Sequence, residues 1–199
     1  MRILPAGDHA VLVELEDLEE VLGYYAALSA SPPAGVVDIV PAARTVLVTT
    51  DSDLDALTRA LRAVQPVDRQ QAGGELVEIP VVYDGEDLSD VAELLGCSVS
   101  ELIKRHTCED WTVAFCGFAP GFGYLTGAGH WDIPRRKTPR TKVPAGAVAL
   151  AGEFSGIYPR ESPGGWQLLG HTPLQIFDQN RDPAALLQPG RHVRFVSSQ

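Results

Sequence analysis

Five of the chain's sixteen basic residues, Arg135, Arg136, Lys137, Arg140 and Lys142, fall within the eight positions RRKTPRTK, and no acid interrupts them. The protein as a whole carries a net charge of −10. The run is therefore a local reversal of sign, able to focus an anionic ligand such as a carboxylate or a phosphate. A charge run is also the ordinary composition of a solvated, self-repelling loop. Here Pro134, Pro139 and Pro144 punctuate it and stiffen the backbone, which favours a binding role.

Two further stretches have unusual residue types. FCGFAPGFGYLTG (115–127) interleaves Gly117, Gly121 and Gly123 with Phe115, Phe118, Phe122 and Tyr124. Its backbone N–H groups could cradle an anion, yet it matches neither the dinucleotide glycine pattern nor the P-loop. Aromatics on such a loop either wall a ligand pocket or close a barrel as core. SGIYPRESPGGWQLLG (155–170) offers Ser155 and Ser162, neither in a GxSxG context. Pro163 favours an extended backbone at Ser162 over the strained nucleophile elbow, so both serines read as turn hydroxyls. Glu153 and Glu161 are a possible carboxylate pair whose separation the sequence does not set. None of the five histidines pairs at helical i, i+4 spacing, and no metal site is expected. His106 falls at an expected helix end, where a cation or donor suits capping. His171 follows Gly170 in the glycine-rich part. Cys116, in an apolar run, reads as a small buried hydrophobe. These residues support a ligand-binding barrel without defining a reaction.

The elements that must position them differ between the two halves. HAVLVEL (9–15) reads as a strand, and Leu18, Val21, Leu22, Tyr25 and Leu28 recur at helical spacing. Two β-branched runs, 35–42 and 44–50, read as strands. Asp51-Ser52-Asp53 offers an N-cap to a helix carrying Leu54, Leu57, Leu61 and Val64 on one face. The polar segment DRQQAGG (68–74) is the expected linker. A strand ELVEIPVVY follows, then helices near 86–95 and 99–106, the first ended by Gly96 and the second opened by a Ser98/Glu101 capping box. Residues 111–173 hold eleven of the nineteen glycines and seven of the fifteen prolines. The short apolar runs between them suggest a β-barrel or sandwich with elaborate loops.

Composition narrows the function classes. The acidic balance argues against general nucleic-acid binding and against anionic membranes. The opening MRILPAGDHA lacks a signal-peptide pattern, and no apolar run approaches the ~18 residues of a membrane span. Cys97, Cys108 and Cys116, odd in number and without CxxC spacing, fit a reducing compartment. The expected location is cytoplasmic.

Three blocks in order, FCGFAPGFGYL, TPRTKVPAGAVALAG and SGIYPRESPGGWQLLGHTPLQIFD, resemble the signature of the B subunit of bacterial 5-oxoprolinase. That family also holds KipI-type sensor-kinase inhibitors and proteins described as allophanate hydrolase subunit 1. The resemblance implies an α+β, ferredoxin-like domain with its linker over 1–74 and a cyclophilin-like, mainly-β barrel over 75–199. It implies partner subunits A and C and, at the level of the complex, ATP with magnesium. The reaction would open 5-oxo-L-proline to L-glutamate, most simply by phosphorylating the amide oxygen. This chain alone would show little or no activity. A histidine kinase is the partner in the inhibitor alternative, and allophanate or a related urea derivative is the substrate in the third. On the enzyme reading Arg135, Arg136, Arg140 and Lys142 would meet phosphate, and backbone N–H groups around Gly164 and Gly165 the developing oxyanion. Phe118, Pro120, Gly121, Phe122 and Tyr124 would wall the cleft from one loop, Pro144 and Gly146 from another. Tyr158, Pro163, Trp166 and Gln167 would complete it. The chain departs from the family at Gly170-His171-Thr172, where an arginine is usual in the middle, and at Ala119 and Gly123. His171 thus offers a titratable charge in place of a fixed one.

Overall fold

The structure is a computed structural model that describes residues 1–67 and 75–198. The expected linker at 68–74 lies outside the described residues. The chain divides into two compact units, Met1–Ala72 and Gly73–Gln199.

The first unit is a four-stranded antiparallel sheet with two helices. It comprises β1 (Arg2–Pro5), β2 (Ala10–Glu14), α1 (Leu18–Ala30), β3 (Val36–Pro41), β4 (Thr45–Thr50) and α2 (Leu54–Ala63), with sheet order β1-β2-β4-β3. Strand β1 goes beyond the sequence reading, because four residues are too few to display an alternation. In β2 and β4 every second side chain, Val11 and Val13, Val46 and Val48, is buried with Val21, Leu28, Leu57 and Leu61 of the helices. Each helix starts where a side chain satisfies an orphan N–H: Asp17 accepts from Glu20 N at 2.9 Å and Asp53 from Ala56 N at 2.8 Å. Helix α1 buries Tyr24 completely and leaves Tyr25 half-buried, reversing the expected facing. The Tyr24 hydroxyl donates to the Leu61 carbonyl at 2.7 Å, which satisfies a phenol that would otherwise be costly to bury.

The second unit is mainly β. Its strands are β5 (Leu76–Val81), β6 (Trp111–Cys116), β7 (Gly123–Thr126), β8 (Arg140–Val143), β9 (Ala147–Ala151), β10 (Phe154–Ile157), β11 (Ser162–Gly164), β12 (Gln167–His171) and β13 (His192–Ser197). Helices α3 (Leu88–Leu94) and α4 (Val99–Cys108) follow β5. Seven strands run in the order β12-β9-β10-β7-β6-β13-β5, while β8 and β11 form a separate two-stranded ribbon. Among the described residues, only β13 and β5 are parallel neighbours. The sheet curls until its ends meet. Val82 and His171 exchange backbone hydrogen bonds of 2.9 Å, and Gly85 N–H then donates to Leu169 O at 3.0 Å. Gly170 permits this seam, since a Cβ there would collide with the Val82 carbonyl. Closure leaves few unpaired edge groups, the usual solution for an antiparallel sheet. The unit is thus a nearly closed seven-strand barrel. Among the described residues, no helix is long and apolar enough to cross a membrane.

Strand β9, AVALA, is buried throughout and separates two packed layers. Val148 and Leu150 join the barrel interior with Trp111, Leu125 and Phe195. Ala147, Ala149 and Ala151 face the other way, against Phe122, Tyr158 and Trp166. Alanine on that side leaves room for the rings, and each large side chain so buried contributes roughly 1.5–3 kcal/mol.

Candidate functional site

The basic run is ordered by one buried carboxylate. Asp87 immediately precedes α3 and is 1% exposed. It accepts from the Leu168 N–H at 2.7 Å, from Arg140 Nη2 at 2.9 Å and from Arg136 Nη1. Glu86 takes a second bond from Arg140 Nη2, also at 2.9 Å. Burial alone pushes the Asp87 carboxyl upward. The Arg140 hydrogen bond, the Leu168 N–H and the two guanidinium charges outweigh it and hold the group below its ordinary value. The run is therefore a strap tied through Asp87 to the closure of the barrel, not a free loop.

That tie decides which cations remain available. Arg136 and Arg140 are committed to Asp87, and Lys142 pairs with Glu161 at 3.1 Å. Arg135 and Lys137 are exposed and make no ion pair among the described residues. Gly165 meets the strap through its carbonyl, which accepts the Arg136 N–H at 2.8 Å. Gly164 pairs with Arg140 across β11 and β8, and a Cβ there would strike the Tyr158 ring. His171 closes the barrel with its backbone, while its exposed imidazole Nδ1 lies 2.9 Å from Asp84.

The expected cleft wall separates into a front and a backing. Phe122, Tyr158 and Trp166 are buried core; Phe122 meets Tyr158 at 5.4 Å and Trp166 at 5.3 Å, both edge to face. They correct the expectation of a ligand-facing wall at those three positions. Phe118 stands in front of them, 60% exposed with φ +64°, and Pro120 is exposed beside it. Gly121, buried and at φ +83°, turns that loop. Tyr124 is half-buried, and the Arg135 charge opposes the upward push of burial on its hydroxyl. Pro144 and Pro163 are exposed, whereas Gly146 is buried and donates to the Tyr158 carbonyl at 2.7 Å. Gln167 is buried, its Nε2 donating to Pro134 O at 3.0 Å. Beside it a groove of about 610 Å³ opens between the α3 carboxylates Asp90 and Glu93 and the strap residues Arg135 and Lys137.

The remaining candidates are structural. His106 lies inside α4, fully buried, with Nδ1 2.7 Å from the Tyr83 hydroxyl and Nε2 2.9 Å from Ser155 Oγ. Burial lowers its pKa to about 3, so it is neutral and does not cap the helix as a cation. Ser155 is sealed in β10 as its partner, not placed in a turn. The Cys116 thiol is raised to about 11 by burial, which makes it inert. Asp87 escaped the sequence reading. The one signal for it was the acidic character of Glu86, Asp87, Asp90 and Glu93, opposite in sign to a strap some fifty residues away.

Three proteins named as the B subunit of 5-oxoprolinase match at 35–47% identity. That of Bacillus subtilis is 35% identical over 96% of this chain and 90% of its own length. Among solved structures, TTHA0988 is 36% identical with a TM-score of 0.76, covering 96% of this chain but 40% of that one. The urea amidolyase of Kluyveromyces lactis, at 20% identity, shares the fold with a TM-score of 0.79 over 99% of this chain and 15% of its own. The family described as carboxyltransferase domain, subdomain C and D, matches residues 1–187. With a near full-length relative among the 5-oxoprolinase B subunits, the chain belongs to that family.

Proposed function

We propose that this chain is the B component of an ATP-dependent 5-oxoprolinase and that, with subunits A and C, it opens the lactam of 5-oxo-L-proline to L-glutamate. The observation that carries the reading is the match to the Bacillus subtilis protein of that name over 90% of its length. The site geometry is compatible: a rigid strap offers two uncommitted cations, Arg135 and Lys137, beside a groove large enough for a small acid.

For magnesium and ATP the fit of this chain's own residues is incomplete. Arg135 and Lys137 offer charge to an anionic oxygen but share their groove with Asp90 and Glu93, and among the described residues no three His, Cys, Asp or Glu side chains gather to hold a metal ion. The nucleotide is assigned to the assembly, and no step on this chain is routed through it. This chain's part is to position an anionic group, with little or no turnover alone.

The test is ADP release driven by 5-oxo-L-proline, with this chain mixed with subunits A and C and each omitted in turn. Turnover that requires all three supports the reading. Turnover indifferent to this chain overturns it. Within a working complex, Arg135→Ala is expected to lower kcat/KM by about tenfold or more, the effect of removing a charge-assisted contact to an anion.

A further inference from the structure

We propose that the groove between α3 and the basic strap is a binding site for a zwitterionic α-amino acid, and that its ligand is L-glutamate. The choice of glutamate rests on the reading above, in which it is the product.

The groove, about 610 Å³, is open to solvent and has room for a small ligand. Its walls carry opposite charge: Asp90 and Glu93 on one side, Arg135 and Lys137 on the other. All four side chains are exposed, and no ion pair joins the two walls among the described residues. Arg136 and Arg140 anchor the strap to Asp87, immediately before α3. Gln167 lines the groove and is only 9% exposed. Its Nε2 is used by the Pro134 carbonyl, and its Oε1 accepts no hydrogen bond among the described residues. Gln167 thus lines the groove between walls of opposite sign, with its Oε1 left as an acceptor.

A simple anion does not fit this arrangement well. A phosphate or dicarboxylate satisfies Arg135 and Lys137 but meets repulsion from Asp90 and Glu93. Glutamate brings two carboxylates for the two cations and one ammonium for the acidic wall, with an N–H left for Gln167 Oε1. The ring of 5-oxo-L-proline has a neutral lactam nitrogen. Addition of water across the lactam C–N bond makes a new carboxylate and a free ammonium. The acidic wall would therefore recognise the charge that the reaction creates, and the groove would distinguish product from substrate.

Calorimetric titration of the full chain with L-glutamate, 5-oxo-L-proline and glutarate tests this. Glutarate has both carboxylates and no ammonium. Glutamate is expected to bind at least about tenfold more tightly than either. The exposed double variant D90N/E93Q should bring glutamate down to the level of glutarate, and R135Q/K137Q should weaken both ligands. Glutarate binding as tightly as glutamate, an unchanged glutamate affinity in D90N/E93Q, or no glutamate binding at tens of millimolar would each overturn the proposal. The outcomes separate from those of the turnover assay. Glutamate binding by a chain dispensable for turnover defeats the functional reading alone, and a required chain that ignores glutamate defeats the groove alone.

Discussion

Two buried titratable residues set the response of this protein to acid and to substitution. His106 is neutral in the fold, with a pKa near 3, against an ordinary value of 6.5. As pH falls from 6.5 towards 3, the unfolded chain takes up a proton that the folded chain refuses. Its contribution is therefore complete above pH 6.5 and declines below it by about 1.4 kcal/mol per pH unit. Stability in urea should fall between pH 7 and pH 4, and His106→Gln should make that fall shallower by the His106 share while keeping a polar partner for Tyr83 and Ser155. Asp87 titrates in the same sense, since a lowered carboxyl stabilises above its unfolded value and loses that effect as pH falls through its folded one. Asp87→Asn keeps the shape but leaves Arg136 without a counter-charge and Arg140 with only the exposed Glu86. Breaking such a pair is expected to cost roughly 3 kcal/mol, the lower end for a buried ion pair because Arg136 is a third exposed. An unchanged urea midpoint would show that the guanidinium groups find water instead.

At the scale of elements, the seam and the caps differ in how much depends on them. The barrel closes through residues 82–87 against β12, and Gly170 is the point of closest backbone approach. Gly170→Ala should destabilise by about 1–3 kcal/mol through overpacking. It should also speed hydrogen exchange at the Val82 and His171 amides before the rest of the barrel. Ser98→Ala removes a single cap, a 3.2 Å bond to the Glu101 N–H, and should cost about 1 kcal/mol with no change at the seam. Equal exchange at the seam in both variants would contradict this division. Phe118 belongs to this scale too. A non-glycine residue at φ +64° is strained, and packing over Phe122 at 5.4 Å and Tyr158 at 6.1 Å holds it there.

Over the whole molecule the dominant electrostatic fact is a net charge of −10. Raising salt from about 10 mM to 150 mM shortens the screening length from about 30 to about 8 Å, which relieves long-range repulsion more than it weakens buried pairs. The unfolding temperature should rise modestly in calorimetry over that range. A fall would mean that partly exposed pairs such as Arg140–Glu86 outweigh the net charge. The strap is the exception to this acidic background, and its fixed position gives the sign reversal a direction.

Much of this protein was legible in its residues alone. Caps at Asp53 and Ser98, the stop at Gly96, strands β2, β3 and β4 and the barrel texture of 111–173 all follow from local rules. Three long motifs carried the family. Such signals reach over a few residues, which is why they survive without tertiary context. Only the folded chain decided that Phe122, Tyr158 and Trp166 stand behind the surface while Phe118 stands on it. The tertiary structure also sealed His106 and Ser155 together across 49 residues, and it spent Arg136 and Arg140 on Asp87. Burial and charge pairing depend on which distant segments meet, and closure of the barrel brings them together. In RRKTPRTK the charge was visible from the start; which of its cations remain free was settled by one carboxylate some fifty residues away.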